Sequence, residues 1–467
     1  MDPQSLLFSG VRIDKRRFSA DIARFEKKRK SDFSNANGEN AGEDLELKDI
    51  PSLKKKLKIR AAGDNVPQPL RSFQQLSSEY DCEPNLIKNL VEAGYKEPTP
   101  VQRQVIPVLL QERECFVCAP TGSGKSLAFI LPILMKLKKS SPDGIRAVIL
   151  CPTRELAAQL ITECRRLANG SKIRARLLTK RLFKNPDFAS LRCDILVSTP
   201  LRLDKLVKSE KIDLKRVEYF ILDESDKLFE LGFMQQIDSI VSACTRTNIV
   251  RALFSATLPE TVEELARTIM HDAIRIVIGD RNSASETVQQ KLMYAGNEEG
   301  KLLALKQFFK EGLSPPIILF VQCKERAKQL HKALLSEKLR VDSIHADRTQ
   351  TQREIAVLNF RTGKTWILIA TDLMARGMDF KGVNWVINYD VPQDTTVYIH
   401  RIGRSGRAGR PGNALTLYAE EDVPLLRSIA NVMKASGCDV PEWMLSLPKI
   451  RKRNQKRIRR QPVGASA

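Results

Sequence analysis

The chain has 467 residues, 42% of them hydrophobic and 28% charged, which is enough apolar mass for more than one packed core and excludes a mostly disordered or collagen-like chain. Lys and Arg number 77 against 55 Asp and Glu, and a surplus of +22 points to polyanionic partners, above all nucleic acid. The longest apolar run, Leu127–Met135, stops at Lys136, short of the ~20 residues of a membrane helix, and no signal-peptide core follows Met1.

Most of the excess charge sits at the two ends. Residues 1–60 carry 15 basic and 10 acidic side chains, and 449–467 carry eight basic and no acidic ones. Residues 1–70 are polar and punctuated, and Ser34–Asp44 has almost nothing to bury, so 1–70 is expected to be a flexible extension. Its clusters Lys27–Lys30 and Lys54–Lys58 fit nuclear localisation signals and equally fit loose RNA contacts. From about Phe73 short apolar runs alternate with amphipathic stretches. Strands are predicted over Glu114–Ala119, Arg146–Cys151, Asp194–Thr199, Tyr219–Asp223 and Val250–Ser255, with helical spacing between them, as in Arg154–Ala168. Fully apolar strands alternating with helices predict a parallel sheet covered on both faces. The small polar stretch Gly279–Glu286 reads as a linker. A second series begins near Val288, with strands over Pro316–Val321, Trp366–Thr371, Trp385–Asp390 and Ala414–Ala419. The expected organisation is an extension (1–70), an α/β domain (71–279), a linker (280–287), a second α/β domain (288–435) and a basic tail (436–467). Trp366, Trp385 and Trp443 read as packing residues. Nine cysteines, an odd number, read as reduced thiols, and Cys115 and Cys118 lack a second pair at zinc spacing.

Three motifs carry chemistry. Ala119–Ser126 (APTGSGKS) lies between a strand and an apolar helical stretch, as a phosphate-binding loop must. Gly122 and Gly124 would let backbone N–H groups wrap a polyphosphate, Lys125 would reach the β- and γ-phosphates, and Ser126 would supply an oxygen to Mg²⁺. The strict pattern has Gly where this chain has Ala119. In DESD (Asp223–Asp226), at the end of an apolar strand, Asp223 fits a Mg²⁺-holding carboxylate and Glu224 a base that activates water. In HRIGRSGRAGR (His400–Arg410), Arg401, Arg404 and Arg407 recur every third residue and suit charge developing on phosphoryl oxygens. Phosphate loop and arginines lie on different domains, so hydrolysis would require the domains to close.

In these motifs, and over about Phe73–Ala435, the sequence resembles the DEAD-box RNA helicases of superfamily two. The resemblance implies two tandem RecA-like domains and an ATP- and Mg²⁺-dependent RNA helicase, with Lys125, Asp223, Glu224, Arg404 and Arg407 catalytic. Gly94–Gln102 resembles the adenine-reading motif, which implies Gln102 at the adenine edge and Tyr95 on the ring, while Ala119, Pro120, Thr121, Gly122, Ser123, Gly124, Lys125 and Ser126 hold phosphate, Gly377 belongs to the ATP site and Asp379 lies at the ribose. Pro152, Thr153 and Arg154, then Thr199, Pro200 and Arg202, resemble first-domain RNA contacts, and Gln350, Arg353 and Thr371 second-domain ones. Asp226, Ser255, Thr257 and His400 are implied to link ATP state to strand separation. The family's usual Gly-Gly doublet is replaced within Arg176–Pro186, which puts one RNA backbone contact in doubt. Arg16–Phe25 and Asp223–Glu230 further resemble the DEAD-box helicase 52 subfamily. That implies pre-ribosomal or small nucleolar RNA duplexes as substrate, pre-ribosomal proteins as partners, small-subunit biogenesis in the nucleolus, no membrane and a monomeric core. Two other readings stay open on the residues alone: an ATP-gated RNA clamp with little turnover, and a DNA-directed motor of the same superfamily.

Overall fold

The computed structural model describes residues 50–141, 144–179, 182, 192–257, 260–279, 287–310, 312, 314–372, 380, 382–406 and 411–448. Residues Ile50–Lys56 form a helix in the N-terminal unit of the chain, and Leu57 onward forms the other compact unit. That larger unit contains two sheets. The first comprises β1 Ile59–Ala62, β2 Cys115–Cys118, β3 Ala147–Leu150, β4 Ala175–Leu177, β5 Ile195–Ser198, β6 Tyr219–Leu222, β7 Val250–Ser255 and β8 Ile274–Ile278, in the order β1-β8-β2-β7-β6-β3-β5-β4. All its pairs are parallel except β1 with β8. The second comprises β9 Val288–Tyr294, β10 Ile317–Val321, β11 Val341–Ile344, β12 Ile367–Thr371, β13 Trp385–Asn388 and β14 Gly412–Tyr418, in the order β11-β12-β10-β13-β14-β9, all parallel.

Successive strand residues point to opposite faces, so an apolar strand with both faces covered feeds two cores. Val117, Ile149, Val197 and Ile221 belong to one core of the first domain, and their neighbours Phe116, Val148, Leu196 and Phe220 to the other. The second domain repeats this, with Ile318, Phe320 and Leu368 on one side and Leu319, Ile367 and Ile369 on the other. Each such side chain contributes ~1.5–3 kcal/mol on burial. The architecture is therefore two RecA-like α/β domains, as the strand pattern predicts.

Three differences from the sequence reading have physical causes. Within the stretch that composition assigns to a flexible extension, Ile59–Ala62 pairs with β8 and Leu70 is buried, because a few apolar side chains suffice to dock a charged segment. Within the stretch assigned to a basic tail, helix Glu442–Ser446 buries Met444 in the second domain's core. Trp385 packs edge-on against Phe308, but Trp366 and Trp443 are 42% and 47% exposed, and the Arg340 guanidinium covers the Trp366 ring at 5.0 Å. Cys115 and Cys118 are buried strand residues, and burial pushes the Cys115 thiol up. Among the described residues no group of His, Cys, Asp and Glu could hold a metal by itself, and no helix is long and apolar enough to cross a membrane.

Candidate nucleotide and RNA site

Strand order assembles the site. In the first sheet β2, β7, β6, β3 and β5 are consecutive neighbours, and their C-terminal ends lead into the phosphate loop, Ser255–Thr257, Asp223–Asp226, Pro152–Arg154 and Thr199–Arg202 respectively. Crevices outside the carboxyl ends of parallel strands are where α/β folds bind ligands.

The phosphate loop is tied to the helix that precedes β2. Gly122 and Gly124 have φ of 77° and 92°, a region costly for side-chain-bearing residues, and Gly124 starts helix Lys125–Leu137. The Gln102 amide donates from Nε2 to Gly124 O at 3.1 Å and accepts from Thr99 N at 2.9 Å. Gln102 is thus buried between its own helix cap and the loop. Ala119 N donates to Ser255 O at 3.1 Å, continuing the β2–β7 ladder into the loop. Lys125 Nζ donates to Ala119 O at 2.6 Å and Pro120 O at 3.0 Å. Burial holds this lysine below its ordinary range, against the pull of Asp223, Asp226 and Glu224. Ser123 Oγ is buried without a hydrogen-bond partner, and Ser126 is half-buried in the first turn of the helix. Tyr95, expected on the adenine ring, is half-buried and donates its hydroxyl to Glu163 at 2.6 Å.

Asp223 follows β6 and is buried, and its Oδ1 accepts from Glu224 N at 3.0 Å. Burial, with Glu224 beside it, raises its carboxyl to about 7, against the opposing charge of Lys125. Glu224 sits at φ 49°, and its Oε2 is buried without a hydrogen-bond partner.

Asp226 is where the two domains meet. Its Oδ2 accepts from Thr257 Oγ1 at 2.7 Å and Thr257 N at 3.2 Å, and lies 3.1 Å from His400 Nε2. Ser255 Oγ donates to Thr257 O at 2.6 Å, which shapes that turn. Burial alone would raise the Asp226 carboxyl, but His400, Lys227 and Thr257 hold it well below the usual range. Burial and the neighbouring Lys227 charge push the His400 imidazole down, against Asp226. The consistent arrangement is an ionised Asp226 accepting from a neutral imidazole protonated at Nε2.

The arginine motif divides. Arg401 bonds Asp372 from Nε (2.6 Å) and Nη2 (2.8 Å), and Asp390 O (2.7 Å) and Asn388 Oδ1 (3.3 Å) from Nη1, and it lies over Phe320. It braces its own domain rather than reaching the cleft. Arg404 is buried and donates from Nε to His400 O at 3.0 Å, at the end of helix Thr395–Ile402. Gly377, Asp379 and Arg407 lie outside the described residues.

Of the candidate RNA contacts, Thr153 caps helix Arg154–Leu167 by accepting from Leu156 N at 3.2 Å, and Thr199 and Pro200 open helix Pro200–Lys208. These N-termini follow the paired strands β3 and β5, and aligned N–H groups there suit phosphate. Pro152 is buried, and Arg154 is exposed beside Thr153. Arg202 donates to Leu178 O, and burial, with Arg154 nearby, pushes it down. In the second domain Gln350 bonds Glu354 at 2.9 Å and Thr371 ends β12. Arg353 crosses to the first domain and pairs with Glu155 at 3.1 Å, and Thr121 Oγ1 donates to Gly403 O at 3.4 Å. Glu155 and Gly403 gained no role from sequence, since 198 and 282 positions separate the partners and no local spacing links them.

A phosphate loop, an acidic strand end and an imidazole from a second parallel-sheet domain define a two-domain nucleoside triphosphatase. A DEAD/DEAH box helicase model matches residues 99–265, and a helicase conserved C-terminal domain model matches 300–409. DEAD-box ATP-dependent RNA helicase 57 of Oryza sativa subsp. japonica is 57% identical over 418 residues, 90% of this chain and 77% of that protein. Probable ATP-dependent RNA helicase DDX52 of Rattus norvegicus is 47% identical over 429 residues, 90% of this chain and 72% of that one. S. cerevisiae Dbp5 bound to RNA and ADP BeF3 superposes with a TM-score of 0.70 at 26% identity, covering 83% of this chain and 99% of that one. The chain belongs to the DEAD/DEAH box helicase family. It is an ATP-dependent RNA helicase, close to the helicase 57 and DDX52 proteins.

Proposed function

We propose that this helicase opens short RNA duplexes, or remodels RNA–protein complexes, during pre-ribosomal RNA processing and small-subunit biogenesis in the nucleolus. The observation that carries the mechanism is the Asp226–His400 contact, through which an acidic loop of one domain senses the arginine helix of the other. Gln102 keeps one N–H and one acceptor lone pair beyond its two bonds, the set an adenine edge requires, and Tyr95 flanks the ring. Gly377 belongs to the ATP site and Asp379 to the ribose. Lys125, now on loop carbonyls, exchanges them for phosphate oxygens. Glu224 orients and deprotonates the water that attacks the γ-phosphorus, and Arg404 and Arg407 stabilise charge on the transferred phosphoryl oxygens as ADP leaves.

The residues present fit Mg²⁺: Asp223 is raised by burial beside a second acid, and a Glu224 oxygen is orphaned, so the pocket holds more buried acid than Lys125 balances. Asp223 and Ser126 would hold the ion, partly through water, and bound Mg²⁺ neutralises polyphosphate charge.

Thr153, Arg154, Thr199, Pro200 and Arg202 from one domain, and Gln350, Arg353 and Thr371 from the other, grip one RNA strand by sugar and phosphate, which is sequence-tolerant. At the DNA average of ~1.4 kcal/mol per step, ten steps cost ~14 kcal/mol, so local melting rather than long unwinding is the output. The basic ends tether the core to nearby RNA.

RNA-stimulated ATP hydrolysis tests the chemistry. Glu224→Gln lowers kcat at least ~10²-fold while ATP-dependent RNA binding persists. Unchanged hydrolysis would remove Glu224 from the reaction. Crosslinking in cells, with sequencing of the bound RNA, tests the substrate: sites concentrate on ribosomal precursor RNA, and a spread over messenger RNA refutes that assignment.

A further inference from the structure

The segment Leu57–Phe73 lies ahead of the family match, which begins at residue 99. It does not hang free. Ile59–Ala62 adds an antiparallel edge strand to β8, and Leu70 and Phe73 are buried in the first domain's core. Its backbone is then held by Arg113, which donates to Asp64 O at 3.1 Å, and by helix Pro100–Leu110. Arg103, itself buried, donates to Leu70 O at 3.1 Å and to Arg71 O, and its own carbonyl accepts from Leu70 N at 2.8 Å. The buried Gln104 donates to Pro67 O at 2.8 Å.

These two residues directly follow Gln102. Three consecutive side chains on a helix point ~100° apart. Gln102 therefore faces Gly124 and the phosphate loop, while Arg103 and Gln104 turn their side chains to the arm. A Cβ at Gly124 would overlap Gln102 Nε2, so the loop tolerates little displacement of that amide. A small rotation of the first helical turn would move the amide, and the Gly124 carbonyl with it.

We propose that the arm Leu57–Phe73 is a positioning element for nucleotide recognition, with Arg103 and Gln104 as positioning residues that fix the Gln102 amide and so set both ATP affinity and preference for the adenine base. The proposal rests on Gln102 reading adenine, as set out above. It predicts that loosening the arm changes which nucleotide is used and at what concentration, and leaves turnover alone.

Two full-length variants test it. Gln104→Met keeps volume and removes the bond to Pro67, and Ala62→Pro takes away an N–H that faces β8 in the β1–β8 ladder, far from the nucleotide. RNA-stimulated hydrolysis is measured with ATP and with GTP, alongside thermal unfolding. The expected result is a KM for ATP raised about fivefold or more, a kcat within twofold of the parent, and a reduced ratio of ATP to GTP kcat/KM. A merely structural arm would lower the melting temperature and the active fraction without altering KM or the ratio, and that result in either folded variant overturns the proposal. Should Gln104→Met fail to fold, Ala62→Pro decides alone. The parent keeps the two ideas apart: equal use of ATP and GTP by the parent sinks base reading by Gln102 and the specificity half of the proposal with it. The rise in KM still decides whether the arm positions the loop.

Discussion

Asp226 and His400 carry a sign that solution pH can read. Lys227, Asp226 and Glu224 face the imidazole, and burial with Lys227 outweighs the two acids, so His400 holds a proton less well in the junction than in water. A group whose buried pKa is lowered binds more protons once exposed, so protons favour separation of the domains. Domain closure driven by ATP and RNA should therefore weaken as pH falls below about 6.5, the ordinary imidazole value, and be flat above it. Fluorescence transfer between dyes on the two domains, at pH 7.5 and 6.0, checks this: the parent loses closed fraction at pH 6.0 and His400→Asn does not. Equal closure by the parent at both values would exclude His400 as the sensor. Residue identities here were legible in the sequence, because phosphate loop and acidic box are contiguous motifs whose flanking strands are plain. What each guanidinium does was not legible. Arg401 and Arg404 stand three residues apart in one repeat, yet Asp372, Asn388 and Asp390 bind Arg401 into its own domain while Arg404 sits against His400 O. Three residues is nearly one helical turn, and only the packed neighbours separate the two roles.

At the scale of elements, the interior strands were readable and the edges were not. β2, β3, β5 and β6 are buried at every position and appear as continuous apolar runs. β4 is three residues long, and β1 reads Ile-Arg-Ala-Ala within a lysine-rich stretch, so neither shows a periodicity. The loop–helix junction at Gly124 is the element whose geometry is most demanding. Its left-handed backbone costs a residue with a Cβ ~1–2 kcal/mol, and the added carbon would meet Gln102 Nε2. Gly124→Ala should therefore raise the KM for ATP at least tenfold. Thermal unfolding should shift by only a few degrees, because the apolar core around helix Lys125–Leu137 is untouched. Fluorescent-nucleotide binding checks it, and unaltered affinity would show that the Gln102–Gly124 tie is dispensable.

Across the whole molecule, the junction of the two sheet domains is built from contacts that no local pattern encodes. Asp226 and His400 are 174 positions apart, Arg353 and Glu155 are 198 apart, and Thr121 and Gly403 are 282 apart. The two α/β series were visible in the sequence, but which of their loops touch was not, since that follows from strand order in two separate sheets. Gly403 offers the cleanest way to separate closure from folding. Its φ is an ordinary −68°, so Ala fits the backbone there, yet a Cβ would overlap Thr121 Oγ1 of the phosphate loop. The clash exists only when the domains are together. Gly403→Ala should leave thermal stability within about a degree of the parent and leave ATP binding by the first domain intact, because every phosphate-loop bond described above lies within that domain except Thr121 to Gly403. RNA-stimulated hydrolysis should fall at least tenfold, since Arg404 one residue later could no longer approach the site. The paired variant Gly403→Ala, Thr121→Ala removes the overlapping hydroxyl and should recover part of the loss. A single variant that hydrolyses ATP at the parent rate in the presence of RNA would mean that the phosphate loop and the arginine helix need not meet for turnover.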